Sequence, residues 1–451
     1  MNFKIVYICV LLSLAFACGD DPIVPTPTGP QQYGTPLTNV PDVDKATIYE
    51  VNLRAQSSEG TLQGVISKLD HIKSLGTNII WLMPIYEQGV VNSVGSPYSV
   101  KDYQKVSAEY GSLADLRALT DQAHALGMAV ILDWVANHTS WYHPWISAHP
   151  EWYSQNANGQ IIIPPGTNWN DVADLNFDQT AMRKAQIDAM KYWILEANVD
   201  GFRCDYADGV PFDFWTEAVS TLKALPKRDV LMLAEGTRSD HYQAGFDLTY
   251  GWNYYAAIKN VWTGASTATL TTANQLEYGN IPSGKGKVRF TTNHDESAWD
   301  ASPMTLFNGK NGAIAASVVN IFSGGVPLLY TGQEVGKTGT TPFFNNSNIN
   351  WTANADMLAA YQKLYEVYST EAAARGNSIS AYQLSNDLIC WKKTSGTSSI
   401  LVLVNVRNSA INVTLPPVLT GNFTNLFSGQ SETVSTSLSL TPYAFRIYKM
   451  N

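Results

Sequence analysis

Apolar and polar positions along this chain change rhythm three times. Ile5 to Leu14 is an apolar stretch behind Lys4, closing on Ala15-Phe16-Ala17-Cys18. It is too short for a comfortable membrane span and has the order of a targeting leader. Residues 19–41 are rich in Pro, Thr and Gly without periodicity, which predicts an extended tether. From about Asp44, short apolar runs alternate with helical patterns. The runs predict strands at 47–53, 78–83, 128–133, 201–205, 230–235, 245–248, 289–293 and 326–330. Helices are predicted over 62–75, from Ser112 to Gly127 with Asp115 in capping position, and over 179–197, 212–225, 311–322 and 355–373. Beyond about residue 376 helical spacing stops. Alternating runs at 388–392, 400–405 and 444–448 predict an antiparallel sandwich.

Strands alternating with helices predict an α/β fold, a (β/α)8 TIM barrel. An open doubly wound sheet is the competing arrangement, but no Gly-rich phosphate loop follows the first strand. The interval between His138 and Asn176 is aromatic and irregular, so it reads as an insertion after the third strand. The predicted organisation is a leader over 1–17, a disordered tether over 18–43, a barrel over 44–138 and 177–376, an inserted domain over 139–176, and a C-terminal β-sandwich over 377–451.

Composition narrows the function classes. The net charge is −9 and no Lys/Arg cluster is present, so nucleic acid is not an expected partner. No dinucleotide fingerprint or P-loop supports redox or phosphate chemistry. The 13 Trp and 23 Tyr serve a core, and their flat apolar faces also suit sugar rings. Cys204 and Cys390 are far apart in sequence and lack zinc-ligand spacing.

Barrel enzymes carry catalytic groups at the C-terminal ends of their strands. There this sequence has Asp133, Asn137 and His138, then Arg203 and Asp205, then Glu235, then Asn293, His294 and Asp295. Glycoside hydrolysis needs an ionised carboxylate and a carboxylic acid flanking one bond. Arg203 and Asp205 share a strand face, so the guanidinium is expected to hold Asp205 ionised. Glu235 follows Leu-Met-Leu-Ala, an apolar setting expected to keep its proton.

DWVANH (133–138), GFRCDYAD (201–208), LAEG (233–236) and TTNHDE (291–296) resemble, in order and spacing, the four central motifs of the α-amylase family of glycoside hydrolases. PYSVKDYQKV (97–106), NHTSWYHPW (137–145), DLN (174–176) and GGVPLLYTGQE (324–334) are similar to its flanking motifs. The resemblance covers nearly all of residues 44–450. It implies Asp205 as nucleophile, Glu235 as acid/base and Asp295 as the third carboxylate, gripping hydroxyls of the distorted sugar. It implies Tyr98 as an aromatic platform, His138 and His294 as hydrogen-bonding partners of the same sugar, and Arg203 as the group that orients Asp205. A calcium site is implied at Asn137, Asp174 and the Gly209 carbonyl.

The implied activity is endo-acting, retaining hydrolysis of α-1,4-linked glucans such as starch, glycogen or maltooligosaccharides. Exo-acting maltogenic hydrolysis, α-glucosidase action and transglycosylation are the alternatives within the family. A non-catalytic surface sugar-binding protein is the alternative outside it. The sequence departs from the family where Asp208-Gly209 replaces a frequent Lys-His, at bulky Tyr206, and at Ala173-Asp174 where Pro-Asp is common. Small residues before Cys18 resemble a bacterial lipobox, and Asp20-Asp21 resembles an export tag of surface lipoproteins. The expected location is the cell envelope, lipid-anchored through Cys18 at the outer membrane and surface-exposed, beside glycan-uptake proteins.

Overall fold

The computed structural model describes residues 29–376 and 378–450. The predicted leader, Cys18 and the tether up to residue 28 lie outside the described residues. Eight strands close into a parallel barrel: β1 (Ile48–Val51), β2 (Ile79–Leu82), β3 (Ala129–Val135), β4 (Gly201–Asp205), β5 (Leu231–Ala234), β6 (Leu248–Tyr250), β7 (Gly286–Arg289) and β8 (Val326–Tyr330). Each pairs with its sequence neighbours, and β8 pairs with β1.

Period-two alternation sorts the strand residues. Ile48, Ile79, Ile131, Leu233 and Val288 fill the barrel interior. Tyr49, Ile80, Val130, Phe202 and Met232 face outward into the helices. Gly201 lets β4 approach β5, because a Cβ there would sit 1.9 Å from the Leu231 carbonyl oxygen. The helix Leu113–Ala125 starts with the expected capping box, in which Ser112 and Asp115 bond each other's backbone N–H.

Several elements differ from the sequence reading. The first strand stops at Val51, and Leu53–Gln56 is a helical turn. The helix expected over 62–75 is two, Leu62–Ile66 and Leu69–Ser74. The sixth strand lies later than expected and the seventh earlier. β7 was hidden because Lys287 and Arg289 point outward yet are buried, held by partners distant in the chain: Lys287 Nζ donates to Thr249 Oγ1 at 2.7 Å and Arg289 pairs with Glu277.

Residues 29–43 are not a free tether but a strap on the closed, N-terminal end of the barrel. Tyr33 N donates to the Leu195 carbonyl at 2.7 Å and its hydroxyl to Asp121 at 2.6 Å, while Arg117 lies over its ring. Leu37, Val40 and Val43 pack on the apolar floor of the barrel.

After the barrel, a six-stranded antiparallel sheet faces a two-stranded one formed by Ile411–Thr414 and Ser437–Leu440. In the strand Leu388–Ser395, Ile389 and Trp391 pack toward the barrel helices. Leu388 and Cys390 pack toward the small sheet. Lys393 shares the barrel-facing side and is fully buried, donating to the carbonyls of Phe322 and Ala374 at the ends of two helices. Among the described residues no helix is long and apolar enough to cross a membrane.

Candidate active site

Barrel alternation also puts the charged residues in place. Glu50 follows Ile48 on the inner face of β1, Asp133 follows Ile131 on β3, Arg203 and Asp205 share the inner face of β4, and Glu235 follows Leu233 from β5. They meet at the C-terminal mouth. Arg203 is fully buried and serves three carboxylates at once. Its Nη1 lies 2.8 Å from Asp133 Oδ1 and 3.0 Å from Asp205 Oδ1, and its Nη2 lies 2.9 Å from Glu235 Oε2. The last contact is an ion pair off the hydrogen-bonding direction.

One cation among so many acids does not offset their burial. Burial raises Asp205 to about 6, opposed by Arg203 and reinforced by Asp295. Burial raises Glu235 to about 7, again against Arg203, with Asp205 and Asp295 adding to the rise. Asp133, fully buried, is pushed up to about 7. Asp295 is raised by burial too, against Arg203 and a hydrogen bond from Trp299. The guanidinium expected to hold Asp205 ionised is shared among three carboxylates, and desolvation works against it. The order survives, with Asp205 ionising below Glu235.

The predicted sugar-binding residues join the same network. Tyr98 hydroxyl bonds Asp133 Oδ2 at 3.1 Å and His294 Nε2 at 2.8 Å, and its ring stacks on His294 with centroids 5.5 Å apart. His138 is held neutral by burial, its pKa lowered to about 4, and it meets Trp169 edge-on. Its buried Nδ1 has no partner within the protein. Together with Asp205, Glu235 and Asp295, these residues line a cavity of about 640 Å3.

Sequence reasoning missed Glu50, which is fully buried with Oε1 2.6 Å from His294 Nδ1. It fixes which His294 nitrogen faces the cavity. A lone charge in the apolar run Ile48–Val51 is the signal that marks it. Asp133, named at the end of the third strand but given no role there, lies beneath the sugar site, where Trp81 Nε1 donates to it at 3.2 Å.

The two unusual positions after Asp205 form a clamp on Glu235. Tyr206 takes the left-handed conformation, φ 43° and ψ 45°. Its backbone N–H donates to Glu235 Oε2 at 2.8 Å. Asp208 accepts from Thr237 N at 2.9 Å, Arg238 N at 3.3 Å and His241 Nε2 at 2.7 Å. These donors outweigh its partial burial and hold its carboxyl down at about 2. The turn after β4 is thereby pinned to the turn that carries Glu235.

Asn137, Asp174 and Gly209 also converge. Asn137 Nδ2 donates to Asp174 Oδ1 at 3.3 Å, and Asn137 Oδ1 lies 2.9 Å from where a Cβ on Gly209 would sit. An amide, a carboxylate and a carbonyl are the hard oxygen donors that suit calcium. Among the described residues no group of three or more His, Cys, Asp or Glu forms a metal cluster.

A buried acid of raised pKa, a lower carboxylate beside it and polar groups around an aromatic platform together define a glycoside hydrolase type of site. The sequence matches the family described as Alpha amylase, catalytic domain, over residues 42–158 and 150–381. It is 30% identical over 363 residues to Alpha-amylase 3 of Dictyoglomus thermophilum, covering 72% of this chain and 70% of that protein. It is 27% identical over 413 residues to Alpha-amylase MalA of Haloarcula japonica, covering 86% of this chain but 59% of that longer protein. The crystal structure of an alpha-amylase from Lactobacillus plantarum superposes with a TM-score of 0.82 at 32% identity, covering 90% of this chain and 99% of that one. The chain belongs to the alpha-amylase family of glycoside hydrolases.

Proposed function

We propose that this protein cleaves α-1,4-linked glucans within the chain, with retention, through a covalent intermediate on Asp205. The observation that carries the reading is the ordered pair of acids. Asp205 and Glu235 sit against the two terminal nitrogens of one guanidinium, and burial pushes both carboxyls up, Asp205 to about 6 and Glu235 to about 7. A close pair suits a covalent intermediate rather than the wider spacing that admits a water between two carboxylates.

In the first step a carboxylate oxygen of Asp205 attacks the anomeric carbon while Glu235 gives its proton to the glycosidic oxygen. The bond between them breaks and the leaving chain departs as an alcohol. In the second step Glu235, now ionised, takes a proton from water. The water oxygen bonds to the anomeric carbon and Asp205 is released. Asp295, His294 and the neutral His138 hold hydroxyls of the sugar as positive charge develops on it. The Tyr206 N–H and the Asp208 clamp keep the Glu235 carboxyl aimed at the leaving oxygen.

Internal cleavage is favoured because the cavity reaches aromatic groups on two sides, Trp169 and Tyr206 on one, Phe344 and Trp299 on the other. A chain can run through such a cleft. Calcium held by Asn137, Asp174 and the Gly209 carbonyl would tie the inserted hairpin (His138–Ser140 with Val172–Asp174) to the turn after β4, a structural service only. The reading extends to a lipid-anchored enzyme of the bacterial outer surface, acting beside glycan-uptake proteins. Cys18→Ala is expected to move the protein from the membrane fraction to the soluble one, and unchanged fractionation refutes the anchor.

Time-resolved products from amylose, pullulan and maltotriose, with Glu235→Gln alongside, test the activity. Rapid loss of amylose chain length with mixed oligosaccharides is expected. One dominant small product with slow shortening would indicate exo action or transfer. Absence of Glu235-dependent turnover would leave a sugar-binding protein.

A further inference from the structure

The wall of the cavity across from Glu235 carries aromatic side chains, Trp299 and Phe344 among them, to which the steps above assign no particular sugar. Trp299 ends the short helix His294–Trp299, which follows β7 and begins with the catalytic His294-Asp295 pair. Its indole is 67% exposed, and it is the one tryptophan among the exposed large apolar side chains of the described residues. Its hydrogen bond to Asp295 uses the indole N–H, and packing does not account for the exposed ring faces. The ring lines the cavity.

Trp299 is not isolated. It meets Phe343 edge-on at 5.9 Å and Phe344 at 5.5 Å between ring centroids. Phe343 in turn meets Tyr98 at 5.9 Å and His294 at 5.3 Å. An aromatic strip thus runs without a break from the platform of the attacked sugar to the solvent edge. Barrel order fixes its side. Phe343 and Phe344 follow β8 and Trp299 follows β7, whereas Glu235 follows β5 and its clamp follows β4. The leaving chain lies on the Glu235 side, where its oxygen receives the proton. The strip therefore borders the sugars that remain on Asp205.

We infer that Trp299, backed by Phe343 and Phe344, is the stacking platform for the second sugar on the non-leaving side, the pyranose next to the one held by Tyr98 and His294. Its ligand is a neutral glucose unit presenting its apolar C–H face. The inference rests on the glucan reading above and adds a specific subsite to it: productive binding needs at least two sugars before the cleaved bond.

Calorimetric titration with maltopentaose in the Glu235→Gln background tests this. Adding Trp299→Ala is expected to weaken binding about five- to tenfold, with Trp299→Phe recovering part of the loss. In the otherwise unaltered enzyme, Trp299→Ala is expected to shift cleavage of reducing-end-labelled maltopentaose toward the first bond from the non-reducing end. Affinity within twofold of the Glu235→Gln parent overturns the platform, and an unchanged cleavage pattern overturns its assigned side. If the Glu235→Gln parent does not bind maltopentaose and the wild type does not cleave it, the glucan reading falls and the platform with it. If the parent binds and Trp299→Ala changes nothing, only the platform falls.

Discussion

Two arginines at opposite sides of the barrel are buried alike and used differently. Arg289, on the outer face of β7, pairs with one carboxylate, Glu277. It also donates to Asn274 Oδ1 at 2.7 Å and the Gly324 carbonyl at 3.0 Å, and it lies over the Tyr254 ring at 4.2 Å. Charge and hydrogen bonds balance there, and the unit joins strand to helix. Arg203, on the inner face of β4, faces Asp133, Asp205 and Glu235, with Asp295 close by. Negative charge is in excess, and the acids respond by holding protons. The flank uses its ion pair to support the fold. The mouth is an arrangement that the fold supports.

The comparison breaks most visibly if Glu235→Gln does not separate activity from stability. The expected result is a loss of kcat of about 10²–10⁴-fold with no drop in melting temperature, read by steady-state kinetics and thermal unfolding. At the flank the opposite is expected. Arg289→Met leaves Glu277 buried without its cation and should lower unfolding free energy by about 3–5 kcal/mol in denaturant titrations, while kcat per folded molecule holds. A collapse of activity without instability would erase the contrast.

The pH dependence sharpens it further. Turnover needs Asp205 ionised and Glu235 protonated. Activity should fall as pH drops through about 6, where the nucleophile gains a proton, and as pH rises through about 7, where the acid loses its own. A narrow bell in kcat/KM between those limbs is expected, each belonging to the coupled pair. A broad plateau from pH 4 to 9 would mean that the crowding around Arg203 does not tune the acids.

Glu50→Gln should cost less, about tenfold in kcat, because the amide still bonds His294 but no longer sets its proton so firmly. Unaltered kcat would make Glu50 a packing residue.

The smallest effect concerns Lys393, a buried cation that reaches only carbonyls and whose pKa burial lowers to about 7. The unfolded chain takes up the proton more readily. Its penalty is therefore absent at high pH and grows as pH falls from the ordinary lysine range toward 7. Lys393→Met should raise the melting temperature by a few degrees at pH 6, a gain that shrinks toward pH 10. A pH-independent difference would assign the effect to packing alone.

Much of this arrangement was legible in the sequence because the barrel ends its strands at the site. Asp205, Glu235 and Asp295 stand where apolar runs stop, and local order was enough to find them. What stayed hidden depended on partners distant in the chain. β7 carries Lys287 and Arg289, and nothing nearby shows that Thr249 accepts from the one and Glu277 pairs with the other. Glu50 gains its meaning from His294, far along the chain. Trp299 and Phe344 are indistinguishable in composition from core aromatics until the loops after β7 and β8 are placed. Residues 29–43 read as a tether because their anchors, Leu195 and Asp121, belong to barrel helices.

That strap also gives the molecule a front and a back. Leu37, Val40 and Val43 plug the end of the barrel opposite the acids, and the chain enters the fold from that end. Residue 29 therefore lies at the rear, and a bead or a resin joined at that point would not shade the opening. Molecules packed side by side on such a support would all present their clefts outward, and a long polymer arriving from solution would meet a field of open mouths rather than randomly turned ones.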